Sequence, residues 1–157
     1  GSTFHFSIPF NLSEHEPTGG ELKVKADAKP EAKNNFFTKR ILIVEDDETS
    51  YLYLRELLTG FGFINIDWVD NGKDSISYCR ANQEVDLILM DINMPEMNGY
   101  EAAKRIKLFN PGLPIIAQTA YALIGDREKA LNSGCDDYLT KPIKTDELFE
   151  ILQKHLR

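Results

Sequence analysis

Carboxylate, hydroxyl and ammonium side chains follow the apolar runs of this sequence, at the points where buried strands would end. Three acids follow one run, one aspartate follows a second, and a threonine and a lysine end two later ones: Glu45, Asp46, Asp47, Asp91, Thr119 and Lys141. Clustered carboxylates raise one another's pKa unless a cation lies among them. Oxygen ligands with no Cys or His nearby are typical of Mg²⁺. The pattern therefore predicts a magnesium site.

Asp91 and Lys141 indicate what such a site would do. A divalent cation and a lysine that converge on one carboxylate form a site for a phosphoryl group, where catalysis is mostly positioning and charge neutralisation. The carboxylate can then act as a nucleophile and form an acyl phosphate. A single strand-end Asp is usually a solvated loop residue, but Asp91 directly follows Leu87–Met90 and has acids and a lysine at neighbouring strand ends. We interpret Asp91 as the nucleophile.

The elements that position these residues follow from hydrophobic periodicity. Apolar runs alternate with helical spacing five times, and the runs predict strands at Ile41–Val44, Ile64–Val69, Val85–Met90, Leu113–Thr119 and Asp137–Thr140. Helices are predicted at 51–58 (ended by Gly60 and Gly62), in a stretch after Asn71-Gly72 that includes 76–81, from near Gly99 to Asn110, from about Ile124 to Ser133, and onward from Thr145 as N-cap. This alternation predicts an α/β fold, a doubly wound five-stranded parallel sheet with five helices. Ligands of such sheets bind beyond the carboxyl ends of the strands, so the polar residues should meet at one edge.

The composition and charge of the sequence argue against several classes of function. The net charge of −7 falls entirely on residues 40–157, and an acidic domain disfavours nucleic-acid binding. No apolar run reaches the roughly 18 residues that span a bilayer, so we expect no direct membrane contact. Cys79 and Cys135 lie in core-like sequence, which favours two buried thiols over a disulfide and predicts a cytoplasmic location.

The motifs around these residues resemble the receiver domain of response regulators. They are Ile-Leu-Ile-Val-Glu45-Asp46, Met-Asp91-Ile-Asn-Met-Pro95, Asn98-Gly99-Tyr-Glu, Thr119-Ala120 and Asp-Tyr138-Leu-Thr-Lys141-Pro142. The resemblance covers residues 39–157 and implies a flavodoxin-like sheet with strand order 2-1-3-4-5. It also implies a phosphorelay function, in which Mg²⁺-dependent transfer from phosphohistidine to Asp91 switches the conformation and the phosphoryl group passes to a histidine phosphotransfer partner.

The same resemblance implies roles for individual residues. Asp46, Asp91 and the backbone carbonyl of Asn93 would ligate Mg²⁺, with Glu45 acting through water; no other cofactor is implied. Lys141 and Thr119 would bind the phosphoryl oxygens, and Thr119 and Tyr138 would form the conformational switch. Ala120 would leave room for the phosphodonor to approach. The peptide bond between Lys141 and Pro142 would be cis. Tyr121 departs from the usual pattern: it either shades the acyl phosphate from water or is a surface side chain.

The segment before residue 39 carries two further expectations. Residues 13–38 are polar and interrupted by Pro and Gly, which is typical of a linker. Residues 1–12 begin Gly-Ser-Thr-Phe and then alternate apolar and polar residues, which resembles the last strand of a histidine-kinase ATP-binding domain. The resemblance implies a hybrid histidine kinase whose phosphoacceptor-His domain is the phosphodonor. It leaves open whether the parent kinase is membrane-anchored. The alternative is that Gly1-Ser2 is left from a cleaved tag.

No complete ATP-binding region is present in residues 1–157, so we expect no kinase activity from them. Whether to class the domain as an enzyme stays open, because it would promote only its own phosphorylation and dephosphorylation. His155 is interpreted as a partner of the last helix's C-terminal dipole rather than a relay residue. Because the sequence ends just after that helix, we expect the signal to leave by onward phosphotransfer or by contact with the kinase core.

Two other functions compete with the receiver. Glu45-Asp46-Asp47-Glu48-Thr49 resembles the Asp-x-Asp-x-Thr motif of haloacid-dehalogenase-type phosphatases, but Glu stands at the nucleophile position and no cap insertion is evident. A pseudo-receiver that only docks is the second alternative, and the full Asp, Thr and Lys set argues against it. Nucleotide binding is unsupported, since no Gly-rich phosphate loop occurs.

Overall fold

A computed structural model describes residues 35–120, 128–130 and 132–156 of the chain. Five parallel strands form one sheet, β1 Arg40–Val44, β2 Asn65–Val69, β3 Leu87–Asp91, β4 Ile115–Thr119 and β5 Asp137–Thr140. Their order in the sheet is β2-β1-β3-β4-β5. The predicted fold class and strand order are therefore confirmed, and β1, β3, β4 and β5, which carry the candidate site residues, are consecutive neighbours.

Helices connect the strands and cover both faces of the sheet. They are α1 Glu48–Phe61, α2 Gly72–Ala81, α3 Gly99–Phe109 and a C-terminal helix at Thr145–His155, and residues 128–130 and 132, between β4 and β5, are also helical. The rest of the helix predicted from Ile124 to Ser133 lies outside the described residues. No helix in the described part of the chain is long and apolar enough to cross a membrane.

The alternation of side chains along β1 explains the two-sided core. Ile41 and Ile43 point to one face and pack in a cluster with residues of α1 and the C-terminal helix. Leu42 and Val44 point to the other face and pack with residues of α2 and α3. Successive side chains of a strand point in opposite directions, so a strand buried on both faces reads as a continuous apolar run. This is why the runs in the sequence predicted central strands.

The ends of several elements differ from the predictions. Gly60 lies inside α1, and the helix ends at Gly62, whose φ of 103° is the left-handed conformation that favours glycine. The N-cap of the C-terminal helix is Lys144, which makes no side-chain capping bond, so the prediction of Thr145 was wrong by one residue. Asp146 and Glu147 lie in that helix's first turn, where their negative charge interacts favourably with the positive end of the helix dipole.

A short 3₁₀ helix, Asn35–Thr38, precedes β1 at the end of the segment predicted as linker. Phe36 packs against the cluster on the α1 face, with ring centroids 5.1 Å from Phe63 and 6.3 Å from Phe149. The chain therefore enters the sheet from an aromatic cluster at the end opposite the candidate site.

Candidate functional site

Three carboxylates meet at the carboxyl edge of the sheet. Glu45 and Asp46 directly follow β1, and Asp91 is the last residue of the adjacent strand β3. Carboxylate oxygens of the three residues lie within 4.8 Å of one another, with Glu45 and Asp91 buried and Asp46 exposed. The predicted cluster is therefore present, with one carboxylate open to solvent and two inside the protein.

Lys141 joins this cluster from the end of β5. Its Nζ lies 2.7 Å from Oε2 of Glu45 and 3.2 Å from Oδ1 of Asp91. The peptide bond between Lys141 and Pro142 is cis, as the resemblance implied. The Lys141 backbone N–H also donates to the carbonyl of Thr119, at 2.7 Å, which ties the lysine to the end of β4. One ammonium group therefore neutralises part of the charge of two buried acids.

Burial and neighbouring charge shift the pKa values of this pair. Burial raises the pKa of Glu45, the charge of Asp91 raises it further, and the hydrogen bond from Lys141 acts in the opposite direction. Burial alone would lower the pKa of Lys141, but the hydrogen bond to Glu45 and the charge of Asp91 outweigh it and raise that pKa. Lys141 is therefore held as a cation, and the carboxylates favour binding of a further cation.

Asp47 belongs to the helix rather than to the cluster. Its Oδ2 accepts hydrogen bonds from the backbone N–H and the hydroxyl of Ser50, both at 2.8 Å, and these bonds lower the pKa of Asp47. It is the N-cap of α1. Sequence reasoning assigned roles to Glu45 and Asp46 through the family resemblance but none to Asp47, and the Asp47-x-x-Ser50 spacing was the signal that could have identified this cap.

The loop after β3 brings a close backbone contact to Asp91. The Gly99 N–H donates to the Ile92 carbonyl at 3.1 Å, and a Cβ at Gly99 would lie 2.1 Å from the Asp91 carbonyl oxygen. No side chain fits there, so the start of α3 packs directly on the backbone of the candidate nucleophile. Asn93 lies in this loop and is exposed. This close contact fixes the backbone of Asp91, whose side chain belongs to the carboxylate cluster.

Thr119 and Tyr138 lie on neighbouring strands. Thr119 is the last residue of β4 and is buried, and Tyr138 is half-buried in β5, against the core cluster on the α3 face. Ala120 is exposed, and Tyr121 lies outside the described residues. His155 ends the C-terminal helix, and its Nε2 lies 3.1 Å from Oδ2 of Asp137, so it also takes part in a polar contact with β5.

One contact at this edge was missed by sequence reasoning. Trp68, near the end of β2, donates its indole N–H to the Glu45 carbonyl at 2.9 Å, and its ring stacks on Tyr51 with centroids 4.2 Å apart. The two aromatic rings thereby fix the backbone at the first acid of the cluster. The partner of Trp68 lies 23 residues away in the sequence, so no local pattern indicates this bond.

The donor set at this edge fits a magnesium ion. Mg²⁺ binds a few carboxylate oxygens together with water and phosphate oxygens. Glu45, Asp46 and Asp91 offer such oxygens at one point, and Asp46 is exposed on the solvent side. Lys141 supplies a fixed positive charge beside Asp91. The arrangement can bind a phosphoryl group at Asp91 and neutralise its charge.

The comparisons with known proteins agree with this geometry. The family model described as the response regulator receiver domain matches residues 41–153. The chain belongs to this family of two-component signalling domains. The haloacid-dehalogenase alternative is therefore not supported, in line with the glutamate at its nucleophile position.

Known relatives include kinases and a phosphotransfer complex. Hybrid signal transduction histidine kinase I of Dictyostelium discoideum is 38% identical over 92% of this chain and 8% of that protein. The receiver domain of sensor histidine kinase PA1611 from Pseudomonas aeruginosa PAO1, solved with magnesium coordinated in the active site cleft, is 36% identical over 76% of this chain and 98% of that one, with a TM-score of 0.69. The receiver of Saccharomyces cerevisiae Ssk1, solved with the phosphotransfer protein Ypd1, is 30% identical over 76% and 89% of the two chains, with a TM-score of 0.70. The chain spans about a quarter of the length of the transcriptional regulatory protein ZraR of Escherichia coli and about half the length of CusR, two further relatives that it matches.

Proposed function

We propose that Asp91 is the phosphoacceptor of a phosphorelay receiver and that the reaction depends on Mg²⁺. The observation that carries this proposal is the convergence of Glu45, Asp46, Asp91 and Lys141 at one edge of the sheet. Asp91 is the carboxylate that both adjoins the acids and contacts Lys141 from the end of a buried strand. Its nucleophilic oxygen is thus placed where a cation and an ammonium group can act on the same phosphoryl group.

In the proposed reaction, a carboxylate oxygen of Asp91 attacks the phosphorus of a phosphohistidine. The new P–O bond forms as the P–N bond breaks. The leaving imidazole keeps the electron pair of that bond and departs neutral, because its other ring nitrogen already carries a proton in the donor. Lys141 moves from the acid pair towards the phosphoryl oxygens, and Thr119 donates its hydroxyl to them. Glu45, Asp46, Asp91 and the carbonyl of Asn93 would hold Mg²⁺, which when bound neutralises charge on the phosphoryl group.

Switching is proposed to follow from the position of the last β4 residue. Thr119 is linked through its carbonyl to the Lys141 backbone, and Tyr138 lies on the strand that pairs with β4. A phosphoryl group that draws Thr119 towards Asp91 would change the packing available to Tyr138. Phosphorylation would then bias an equilibrium between two arrangements of the surface around β5 and the C-terminal helix.

The partners are proposed from the relatives. A phosphoacceptor-His domain of a kinase would supply the phosphoryl group, and a histidine phosphotransfer protein would receive it, as the Ssk1 receiver is found in complex with Ypd1. The alignment with the Dictyostelium hybrid kinase covers more of this chain than residues 41–153. This supports a hybrid kinase parent in which residues 1–12 end the ATP-binding domain, 13–38 are a linker and 39–157 are the receiver. A cytoplasmic location follows from such a parent.

The test of this function is intact-mass spectrometry after incubation with acetyl phosphate and Mg²⁺. We expect the mass of one phosphoryl group to be added, with no addition in EDTA or in Asp91→Asn. Asp146→Asn is the matched control, because Asp146 is an exposed acid in the C-terminal helix, and it should be labelled like the wild type. Equal labelling of Asp91→Asn would overturn the assignment. Failure of the wild type to accept a phosphoryl group from acetyl phosphate and from a phosphorylated kinase domain would favour the docking-only alternative.

A further inference from the structure

Trp68 is the single tryptophan of the chain, and it lies on β2 one residue before that strand ends. Ile66, two residues earlier on the same face of the sheet, packs against the core cluster on the α1 side, so the indole also projects to that side. There the indole stacks on Tyr51 of α1, with the ring planes 6° apart. Trp68 remains 37% exposed, so it contributes less to the core than a buried aromatic residue would.

The indole N–H of Trp68 supplies a donor just past the paired part of the sheet. The last residue pairs that β1 makes with its two neighbouring strands are Val44 with Val69 and Val44 with Met90. Glu45 follows these pairs. Its N–H donates to the Val69 carbonyl at 3.1 Å, and its carbonyl accepts from the indole at 2.9 Å. Both backbone polar groups of Glu45 are therefore bound by residues of β2.

Asp46 lies between two fixed points of the backbone. The peptide group that joins Glu45 to Asp46 is planar, so a bond to the Glu45 carbonyl also sets the position of the Asp46 Cα. On the other side, Asp47 is held as the N-cap of α1 by its bonds from Ser50. The Asp46 carboxylate itself is exposed, and an exposed side chain gains little from packing. Its place in the carboxylate cluster thus depends on the backbone that Trp68 and the N-cap hold.

We propose that Trp68 is a positioning residue for Mg²⁺, whose indole N–H holds the peptide group between Glu45 and Asp46 in the orientation that favours binding of the ion. This inference rests on the proposed function, in which Asp46 is a ligand of Mg²⁺. Ligands that are held in place before binding lose less conformational freedom on binding, and the site binds more tightly. Loss of this one hydrogen bond should therefore weaken Mg²⁺ binding by about two- to tenfold.

Two substitutions of Trp68 separate the hydrogen bond from the aromatic packing. Trp68→Phe keeps an apolar aromatic ring that can stack on Tyr51, but this ring has no N–H. Trp68→His has a smaller and more polar ring, whose nitrogen can take the place of the indole nitrogen and which is mostly neutral at pH 7.5 and still able to donate. A positioning role predicts that Trp68→His binds Mg²⁺ more tightly than Trp68→Phe. A role in packing alone predicts the reverse order.

The test is a titration of the ¹⁵N-labelled chain of residues 1–157 with MgCl₂, at pH 7.5 and constant ionic strength, followed by NMR. Saturable shifts of the Asp46 and Asp91 backbone amides give the dissociation constant of every variant. In the wild type, the single indole N–H signal should shift with the same midpoint. We expect Trp68→Phe to bind Mg²⁺ about two- to tenfold more weakly than the wild type, and Trp68→His to stay within about twofold of it.

Ile66→Val is the matched control, because it weakens packing on the same strand and face. Ile66 pairs with Ile41, near the end of β1 that lies away from Glu45, so Mg²⁺ affinity should stay at the wild-type value. Urea unfolding verifies that each variant is folded under the conditions of the titration. Unchanged affinity of folded Trp68→Phe, a loss in Trp68→His as large as in Trp68→Phe, an equal loss in Ile66→Val, or no saturable binding of Mg²⁺ by the wild type would each overturn the inference.

Labelling of Asp91 by acetyl phosphate tests the proposed function separately. A wild type that binds Mg²⁺, with the expected order of variants, but accepts no phosphoryl group would overturn the phosphoacceptor proposal alone. A wild type that is labelled at Asp91 in a Mg²⁺-dependent way, together with unchanged Mg²⁺ affinity of Trp68→Phe, would overturn the positioning role alone.

Discussion

Replacement of Gly99 by alanine should damage both the stability of this domain and the placement of its nucleophile. The added Cβ would lie 2.1 Å from the Asp91 carbonyl oxygen and 3.0 Å from the Ile92 Cα, whereas ordinary contacts of a Cβ begin at 3.4 Å. The start of α3 and the end of β3 would therefore have to separate by about 1.3 Å. Both are backbone segments, so no side-chain rotation can relieve the contact.

The expected loss of stability follows from three contributions. Overpacking of this kind costs about 1–3 kcal/mol. Movement of Gly99 also weakens its hydrogen bond to the Ile92 carbonyl, a further ~0.5–1.5 kcal/mol. Alanine returns up to about 1 kcal/mol through its higher helix propensity. The net effect is a loss of about 1–3 kcal/mol in the free energy of unfolding, or roughly 4–12 °C in Tm for a domain of this size.

Urea unfolding followed by circular dichroism measures this change, and Gly60→Ala is the matched control. Gly60 lies inside α1 with no atom within 4 Å of an added Cβ, so alanine there should stabilise the domain by ~0.5–1 kcal/mol. Labelling by acetyl phosphate should slow by up to about 100-fold in Gly99→Ala, since Asp91 is displaced, and stay unchanged in Gly60→Ala. The reasoning is refuted if Gly99→Ala is as stable as the wild type, or if both variants shift stability in the same direction.

Three further predictions concern residues away from the site. Burial raises the pKa of Cys79 to about 11 and also raises the pKa of Cys135. Iodoacetamide at pH 8 should therefore label the two thiols of the native protein far more slowly than those of the urea-unfolded chain, and equal labelling rates would contradict their burial. Burial alone would raise the pKa of Asp137, but the hydrogen bonds of this carboxylate to Lys154 and His155 outweigh burial and lower the pKa. The stability that Asp137 contributes is therefore present above its pKa in the unfolded chain and is lost as the pH falls through the lower pKa of the folded protein. The gap in unfolding free energy between wild type and Asp137→Asn should therefore narrow from pH 6 to pH 3, and a constant gap would contradict this. Phe36→Ala should cost ~1–2 kcal/mol in the same urea assay, because Phe36 packs half-buried on the core, whereas a passive linker residue would cost nothing.

The sheet and the edge that carries the site could be predicted because both follow from local patterns. Strands buried on both faces read as apolar runs, and the five alternations allow a parallel sheet with helices on both sides. Asp91 and Lys141 end their runs, so parallel strands bring them to the same edge. The strand order, by contrast, came from the family resemblance, because periodicity alone does not fix which strands are neighbours.

Other features depend on contacts that the sequence does not display. The bond from Trp68 to the Glu45 carbonyl and the close approach of Gly99 to Asp91 join distant segments or backbone atoms, so no spacing rule reveals them. The role of Asp47 turned on a choice between capping and metal binding, and both are ordinary uses of an aspartate after a strand. Gln118 did leave a signal, a polar residue inside the strand directly before Thr119, but its lack of a hydrogen-bond partner is a property of the packed core.

The position of the phosphoryl group is the most direct test of the central claim. After labelling with acetyl phosphate and Mg²⁺, borohydride reduction converts an aspartyl phosphate to homoserine, and tandem mass spectrometry of the peptides locates the converted residue. The account predicts conversion at Asp91 and at no other acid of the cluster. Conversion at Asp46, or a label that survives on a residue other than an aspartate, would contradict it.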